Sequence, residues 1–247
     1  MKILKYKKNS GNKYKVFLED GSNIILHENI IIKYNLLISN SLQDDDLKLI
    51  LEDNNNYLVY DMVLKYISIK MRCESEIRKY LQNKNINKVI IDETINRLKV
   101  EGYINEKLYV KSFISDKVRL NKYGPNKIKQ ELLNLKIDKD IIESELSIYP
   151  KDEFIQNLDN LIDKKIKCNR SYGESVLKQK IIIEFSNRGY EKEDIRNILN
   201  NKDLSNDELY DKEYKKLYNK YSKKYSDREL EYFVKQKLSQ KGFKKMQ

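Results

Sequence analysis

A single frame recurs along this 247-residue chain and limits what it can fold into. A basic or tyrosine residue is followed by a small or capping residue, then by aliphatic residues four and eight positions on. It reads Arg72-Cys73 with Ile77 and Leu81, then Tyr123-Gly124-Pro125 with Ile128 and Leu132. It returns as Tyr172-Gly173 with Leu177 and Ile181, and as Tyr225-Ser226 with Leu230 and Val234. The last two copies run in step over Gly173, Leu177, Ile181, Phe185, Gly189 and Tyr190, which map onto Ser226, Leu230, Val234, Leu238, Gly242 and Phe243 at one offset. Self-similarity at this period, with helical spacing inside each copy, predicts a stack of small helical units.

The chain between these frames fits that plan. With seven glycines and two prolines there are few breaks, which favours helices over turn-rich β structure. From Tyr57 onward the apolar period is helical: Leu58, Met62, Val63, Tyr66 and Ile67 form one stripe, Ile77, Tyr80 and Leu81 a second, and Ile91, Ile95 and Leu98 a third that ends at Gly102. Gly102 is placed to cap that helix in a left-handed conformation. A second unit has helices over 105–121, from Pro125 and after Asp138; a third starts at Pro150 and closes with Ile195, Ile198 and Leu199. A fourth has two helices, each preceded by a Ser-x-x-Glu box at Ser205 and at Ser226.

Residues 1–55 differ. Segments 2–7, 13–18 and 22–27 alternate as strands do, separated by turn-forming Asn9-Ser10-Gly11-Asn12 and Glu19-Asp20-Gly21. A short helix over 28–34 and an acidic helix start at 44–46 follow, and Asn54-Asn55-Asn56 reads as a joint to the helical part. The expected fold is therefore mainly α: an elongated, curved stack of tandem three-helix repeats with a small N-terminal β-hairpin-containing module. Its divisions are 1–55, 56–104, 105–149, 150–203 and a partial fourth repeat at 204–247.

Composition narrows the chemistry. Cys73 and Cys168 have no CxxC partner or neighbouring histidine, so a zinc site is not expected, and Cys73 reads as a helix cap. The single histidine, His27, lies in a strand segment, so a nucleophile–histidine catalytic set has little to be built from. Neither catalysis nor a cofactor or metal is expected. There is no signal-peptide core at the start and no run of apolar residues long enough to span a bilayer, which predicts a cytoplasmic protein without a membrane role. The formal net charge is +11. Residues 1–55 carry 8 basic and 8 acidic side chains, so the whole excess lies on the helical part and suits a polyanionic partner.

The motifs, taken in order, resemble the RecX family of bacterial RecA regulators. Arg72-Cys73-Glu74-Ser75-Glu76-Ile77 is similar to the family's Arg-Ser-x-x-Glu-Leu. Gly102-Tyr103-Ile104-Asn105-Glu106, with Tyr109, is similar to Gly-Tyr-Leu-(Asn/Asp)-Asp with a Phe. The segment 122–132 is similar to Lys-x-Gly-Pro-x-x-Ile-x-x-Glu-Leu, and Arg188-Gly189-Tyr190 to a later Arg-Gly-Phe. Cys73 stands for a capping serine, Glu106 for an aspartate and Val110 for an alanine, changes that bear on capping and packing. The resemblance implies a non-enzymatic monomer that lies in the groove of the filament of RecA recombinase on single-stranded DNA. It would there limit filament growth, strand exchange and coprotease activity in DNA repair and the SOS response. A general nucleic-acid-binding helical protein is the second reading, and a protein-binding scaffold the third.

Candidate contacts are the basic residues beside the recurring corners. These are Lys70, Arg72, Arg78 and Lys79 in the first unit, Lys117, Arg119, Lys122, Lys127 and Lys129 in the second, and Arg170, Lys178, Lys180 and Arg188 in the third. The alternative for each is a solvated helix face paired with a nearby acid. Tyr123, Tyr172 and Tyr225 precede equivalent corners and are candidate aromatic contacts, whereas Tyr66, Tyr80, Tyr103 and Tyr109 fall on apolar stripes and are expected in the core.

Overall fold

The computed structural model describes residues 1–42 and 44–244 and falls into two compact units, 1–105 and 106–247. The side chains of Asp44 and Asp45, from the acidic run, and the final residues 245–247 of the fourth repeat lie outside the described residues.

The first unit opens with a three-stranded antiparallel meander, β1 (Ile3–Lys8), β2 (Lys13–Leu18) and β3 (Asn23–His27), in the order β1-β2-β3. Gly11 and Gly21 take positive φ in the two turns, where a side chain would be strained. Alternation puts Ile3, Val16, Leu18 and Leu26 on one face, against Ile30 and Ile31 of α1 (Glu28–Lys33) and Leu36 of α2 (Leu36–Ser39). Helix α3 (Asp44–Ile69) then serves two cores: Ile50 closes the sheet module, while Val59, Tyr60 and Val63 pack with α4 (Glu74–Gln82) and α5 (Lys88–Val100).

The expected joint at Asn54-Asn55-Asn56 is thus corrected, because all three residues are inside α3. Asn54 is buried: its carbonyl oxygen accepts the His27 backbone N–H at 2.7 Å and its amide donates to the Ile25 carbonyl at 2.9 Å. Asparagine is tolerated in this helix because its side chain satisfies the backbone where β3 ends. His27 is buried beside it, with Nδ1 accepting the Asn29 N–H at 3.1 Å, Nε2 3.1 Å from Asp61, and the ring stacked on Tyr57. It acts as the N-cap of α1.

The second unit contains α6 (Glu106–Asp116) with a π-helical turn (Lys117–Asn121), α7 (Pro125–Asn134) and α8 (Lys139–Ile148), then α9 (Lys151–Lys167), α10 (Glu174–Asn187) and α11 (Lys192–Asn200), and finally α12 (Asp207–Tyr221) and α13 (Asp227–Gln240). The frame residues Cys73, Gly124, Gly173 and Ser226 are all N-caps of the second helix of their unit. Each of these helices ends at a left-handed residue: Asn85, Lys136, Gly189 and Gly242. Helices α4 and α7 are about one turn shorter than α10 and α13, which explains why the first two copies fall out of step with the last two.

One local expectation changes and one holds. Helix α12 is capped by Asn206, whose side chain accepts the Leu209 N–H at 2.8 Å, so the Ser205 box is one residue out. Cys73 caps α4 as expected, and a capping box operates there, with the Glu76 carboxylate accepting the Cys73 N–H at 3.1 Å.

Candidate functional site

Within the second unit the corners are joined by glycines. The Gly124 N–H donates to the Arg188 carbonyl at 2.8 Å and the Asn126 N–H to the Gly189 carbonyl at 3.1 Å. The same pair recurs one repeat later: Gly173 N–H to the Lys241 carbonyl at 2.9 Å and Ser175 N–H to the Gly242 carbonyl at 3.2 Å. A Cβ on Gly124 would stand 2.4 Å from the Gly189 carbonyl carbon, and one on Gly173 would stand 2.3 Å from that of Gly242. Only glycine lets the two backbones approach this closely. Tyr190 seals the first joint, buried, with its hydroxyl donating to the Lys122 carbonyl at 3.1 Å; burial pushes its phenol up to about 12.

The basic candidates divide around these corners according to their partners. One group braces the repeats from inside. Arg78, Lys129 and Lys178 each lie five residues beyond the N-cap and reach the third helix of their own unit: Arg78 to Asp92 at 2.5 Å, Lys129 to Glu143 at 2.6 Å and Lys178 to Asn200 at 3.5 Å. The acids raise the Arg78 guanidinium, most of all Asp92, and hold the Glu143 carboxyl below the usual carboxylate range, with Lys129 as the main cause. Arg72 stacks over Tyr66 at 4.6 Å and pairs with Glu76, and Lys117 pairs with Glu131 at 2.6 Å. For Arg72, Arg78, Lys117 and Lys129 the acid-paired alternative describes the geometry, while Lys178 meets an amide oxygen in place of an acid.

A second group keeps its charge outward. Lys70 and Lys79 are exposed and carry no side-chain partner among the described residues. Arg119 is largely exposed, 3.8 Å from Glu153. Lys122 itself adopts a left-handed backbone (φ 55°) before the Gly124 joint, and Arg188 reaches back to the Asn121 carbonyl at 3.4 Å. Arg170 bonds the carbonyls of Lys167, at the end of α9, and of Asn169. Lys127 sits over Tyr123 at 4.9 Å, and Lys180 sits over Tyr172 at 4.5 Å in the next repeat. The cation–π contact orders each lysine and leaves its ammonium partly solvated.

The aromatic candidates also separate. Tyr172 is exposed and Tyr123 half-buried, but Tyr225 packs on Phe233 at 4.7 Å and belongs to the rim of the α12–α13 core. Tyr66 and Tyr80 stack at 4.1 Å and Tyr109 is buried, as expected, whereas Tyr103 is exposed. Gly102 reverses the chain there (φ 78°), so Ile104 takes the inward position and Tyr103 points out.

Two basic residues outside the candidate set matter for the last repeat. Lys241 pairs with Glu213, a carboxylate buried in the α12–α13 region, and Lys244 reaches Glu174 at 2.9 Å. Burial alone would raise the Glu213 carboxyl, but the Lys241 hydrogen bond and charge outweigh it and hold the group below the usual range. The signal available in sequence was the alignment of Lys241 with Arg188 at the offset that relates the last two corners. Among the described residues no helix is long and apolar enough to cross a membrane.

Comparison with known proteins identifies the family and the fold. Residues 60–98 match the model of the RecX first three-helix domain, and residues 105–146 that of the RecX second three-helix domain. The chain is 38% identical over 178 residues to regulatory protein RecX of Lactococcus lactis, covering 70% of this chain and 65% of that one. It is 31% identical over 212 residues to regulatory protein RecX of Bacillus thuringiensis, covering 83% and 78%. Against the Oceanobacillus iheyensis relative it is 30% identical and spans 59% of that protein's length. A crystal structure of regulatory protein RecX superimposes with a TM-score of 0.68 at 20% identity, covering 81% of this chain and 99% of that one. That of RecX from Lactobacillus salivarius superimposes with a TM-score of 0.56 at 25% identity, covering 62% and 99%. With two RecX domains matched in order and relatives aligned over most of both chains, this protein belongs to the RecX family.

Proposed function

We propose that this protein regulates recombination without catalysing a reaction, by binding the RecA–single-stranded DNA filament and limiting its growth, strand exchange and coprotease activity. The observation that carries the reading is the repetition of an outward lysine over a tyrosine beside successive glycine joints: Lys127 over Tyr123 and Lys180 over Tyr172. The joints fix the spacing of these pairs inside the second unit, and a polymer with repeating anionic elements is the kind of partner that a repeated cation suits. Membership of the RecX family supports RecA on single-stranded DNA as that polymer.

The contact set is then Lys70 and Lys79 in the first unit and Arg119, Lys122, Lys127, Arg170, Lys180 and Arg188 in the second. Arg72, Arg78, Lys117, Lys129 and Lys178 serve as braces. The test titrates the protein into a RecA strand-exchange reaction and, separately, into naked single-stranded DNA over a salt series. Inhibition of strand exchange at protein levels far below those that coat DNA supports the proposal. Unaffected recombinase beside tight, steeply salt-dependent DNA binding would favour a general nucleic-acid binder instead.

A further inference from the structure

Basic and acidic side chains balance over residues 1–55, but they are segregated. Six of the eight lysines precede Glu19, the first acid of the chain. Strand alternation then sorts these lysines by face. Tyr6, Val16, Leu18 and Leu26 turn toward the core with α1 and α2, so the pairs Lys5↔Phe17, Lys7↔Lys15 and Lys15↔Ile25 lie on the opposite face of the sheet. Lys13, two residues before Lys15, shares that outer face.

The outer face is a platform of cations around one ring. Lys5 and Lys7 are exposed, Lys13 and Lys15 are half-buried, and none of the four has a carboxylate partner among the described residues. The acids near the sheet are engaged elsewhere. Glu19 accepts the Lys2 N–H at 2.9 Å, Asp20 accepts the N–H and hydroxyl of Ser22, and Asp61 stands 3.1 Å from His27 Nε2. Lys7 and Lys15 are directly opposite each other across the strands, a like-charge pairing that works against the sheet unless an anion lies over it. Phe17 is half-buried beside Lys5, with the Lys15 ammonium 5.4 Å from its ring centroid, and Ile25 extends this apolar centre on β3.

We infer that the outer face of the β1-β2-β3 sheet binds a single strand of nucleic acid, with Lys5, Lys7 and Lys15 on its phosphates and a base stacked on Phe17. Charge complementarity names the partner: unpaired cations on three neighbouring positions of two strands, with no acid among them, suit a chain of closely spaced anions. The ring chooses among polyanions, because an aromatic side chain set in a sheet offers its face to an unstacked base and has nothing comparable to offer a paired one. The cation–π contact holds Lys15 beside the place where that base would lie. The inference goes beyond the filament reading, since it concerns free strands and uses none of the corner cations.

The probe is fluorescein-labelled oligothymidylate, titrated into the full-length protein over a salt series without RecA and read by anisotropy, with oligouridylate in parallel to tell DNA from RNA. Lys5→Gln, Lys7→Gln and Lys15→Gln together are expected to weaken binding at least about tenfold and to lower the salt slope by about two, at roughly 0.7 for each lost phosphate contact. Phe17→Leu is expected to weaken binding about fivefold or more without changing the slope, and to leave binding of an abasic oligodeoxyribose phosphate unchanged, because a stacked base releases no counterions. Relief of the Lys7–Lys15 repulsion keeps the triple variant's melting temperature at or above that of the wild type, so its lost binding is not lost folding. Absence of binding to either oligonucleotide, or wild-type affinity in either variant, overturns the inference. Capture by phosphatidylserine vesicles that the triple variant abolishes, beside oligonucleotide binding that it leaves intact, also overturns it and assigns the face to a lipid surface. No RecA is present, so this outcome and that of the strand-exchange titration are read apart.

Discussion

Replacing Gly124 by alanine tests whether the glycine joint holds successive repeats. Gly124 has φ −79°, an ordinary value for alanine, so the substitution introduces no local backbone strain. The added Cβ would lie 2.4 Å from the carbonyl carbon and oxygen of Gly189 and 2.5 Å from the Tyr190 nitrogen, and backbone atoms cannot swing aside as a side-chain tip can. The joint must open. Opening breaks Gly124 N–H to Arg188 O and Asn126 N–H to Gly189 O, and it weakens the Tyr190 hydroxyl bond to Lys122 O. At about 1 kcal/mol for each bond, with added loss from loosened packing of buried Tyr190, the cost is about 3–5 kcal/mol. Gly102→Ala is the control: Gly102 ends its helix with φ 78°, but nothing lies within 4 Å of its added Cβ, so only conformational strain of about 1–2 kcal/mol is expected. Amide hydrogen exchange at Gly124 and Asn126 reads the joint directly, and urea melts give the stability. A Gly124→Ala protein with wild-type protection at Asn126 and a loss under 1 kcal/mol would refute the reasoning.

Four further outcomes follow from buried groups. Lys241→Ala removes the nearer partner of the buried Glu213 carboxylate and leaves it Lys216 at 3.6 Å, and is expected to cost about 2–4 kcal/mol, with Glu213→Gln in the same background recovering part of it in thermal melts. The Glu213 carboxyl is depressed in the folded state, so its contribution is present above the unfolded value near pH 4.3 and is lost as pH falls through the folded one, giving an acid-side loss that Glu213→Gln removes. Tyr190, raised to about 12, contributes in the opposite direction: stability is intact below pH 10 and falls as pH climbs from 10 toward 12, and Tyr190→Phe flattens that alkaline limb while costing about 1 kcal/mol at neutral pH. Asn54→Leu leaves the His27 N–H and the Ile25 carbonyl without partners in a buried setting, and a loss of about 2–4 kcal/mol by denaturant melts is expected.

Local chemistry made much of this fold legible. Cys73, Gly124, Gly173 and Ser226 are helix caps because capping depends on a few neighbouring residues, and Gly102 ends its helix for the same reason. Pairings across distance were not legible. Asn54 reads as a linker residue until Ile25 and His27 stand opposite it. Arg78 and Lys129 read as binding cations until Asp92 and Glu143 arrive on another helix. The glycine joints did leave a trace, in that Gly124 and Gly173 are each followed one repeat later by a glycine at a helix end, Gly189 and Gly242. Net charge identified the basic half of the chain but could not separate brace from contact, because both use lysine and arginine at the same corners.

The separation of brace from contact is tested most directly by charge reversal at Arg119, Lys122 and Lys127 together, measured as inhibition of RecA strand exchange. Arg119 is largely exposed, Lys127 sits over Tyr123, and none of the three carries the joint's backbone bonds through its side chain. The triple variant is predicted to fold with the wild-type melting profile and to need at least about tenfold more protein for the same inhibition, the scale on which lost phosphate-type contacts act. A folded triple variant that inhibits strand exchange as well as the wild type would contradict the account.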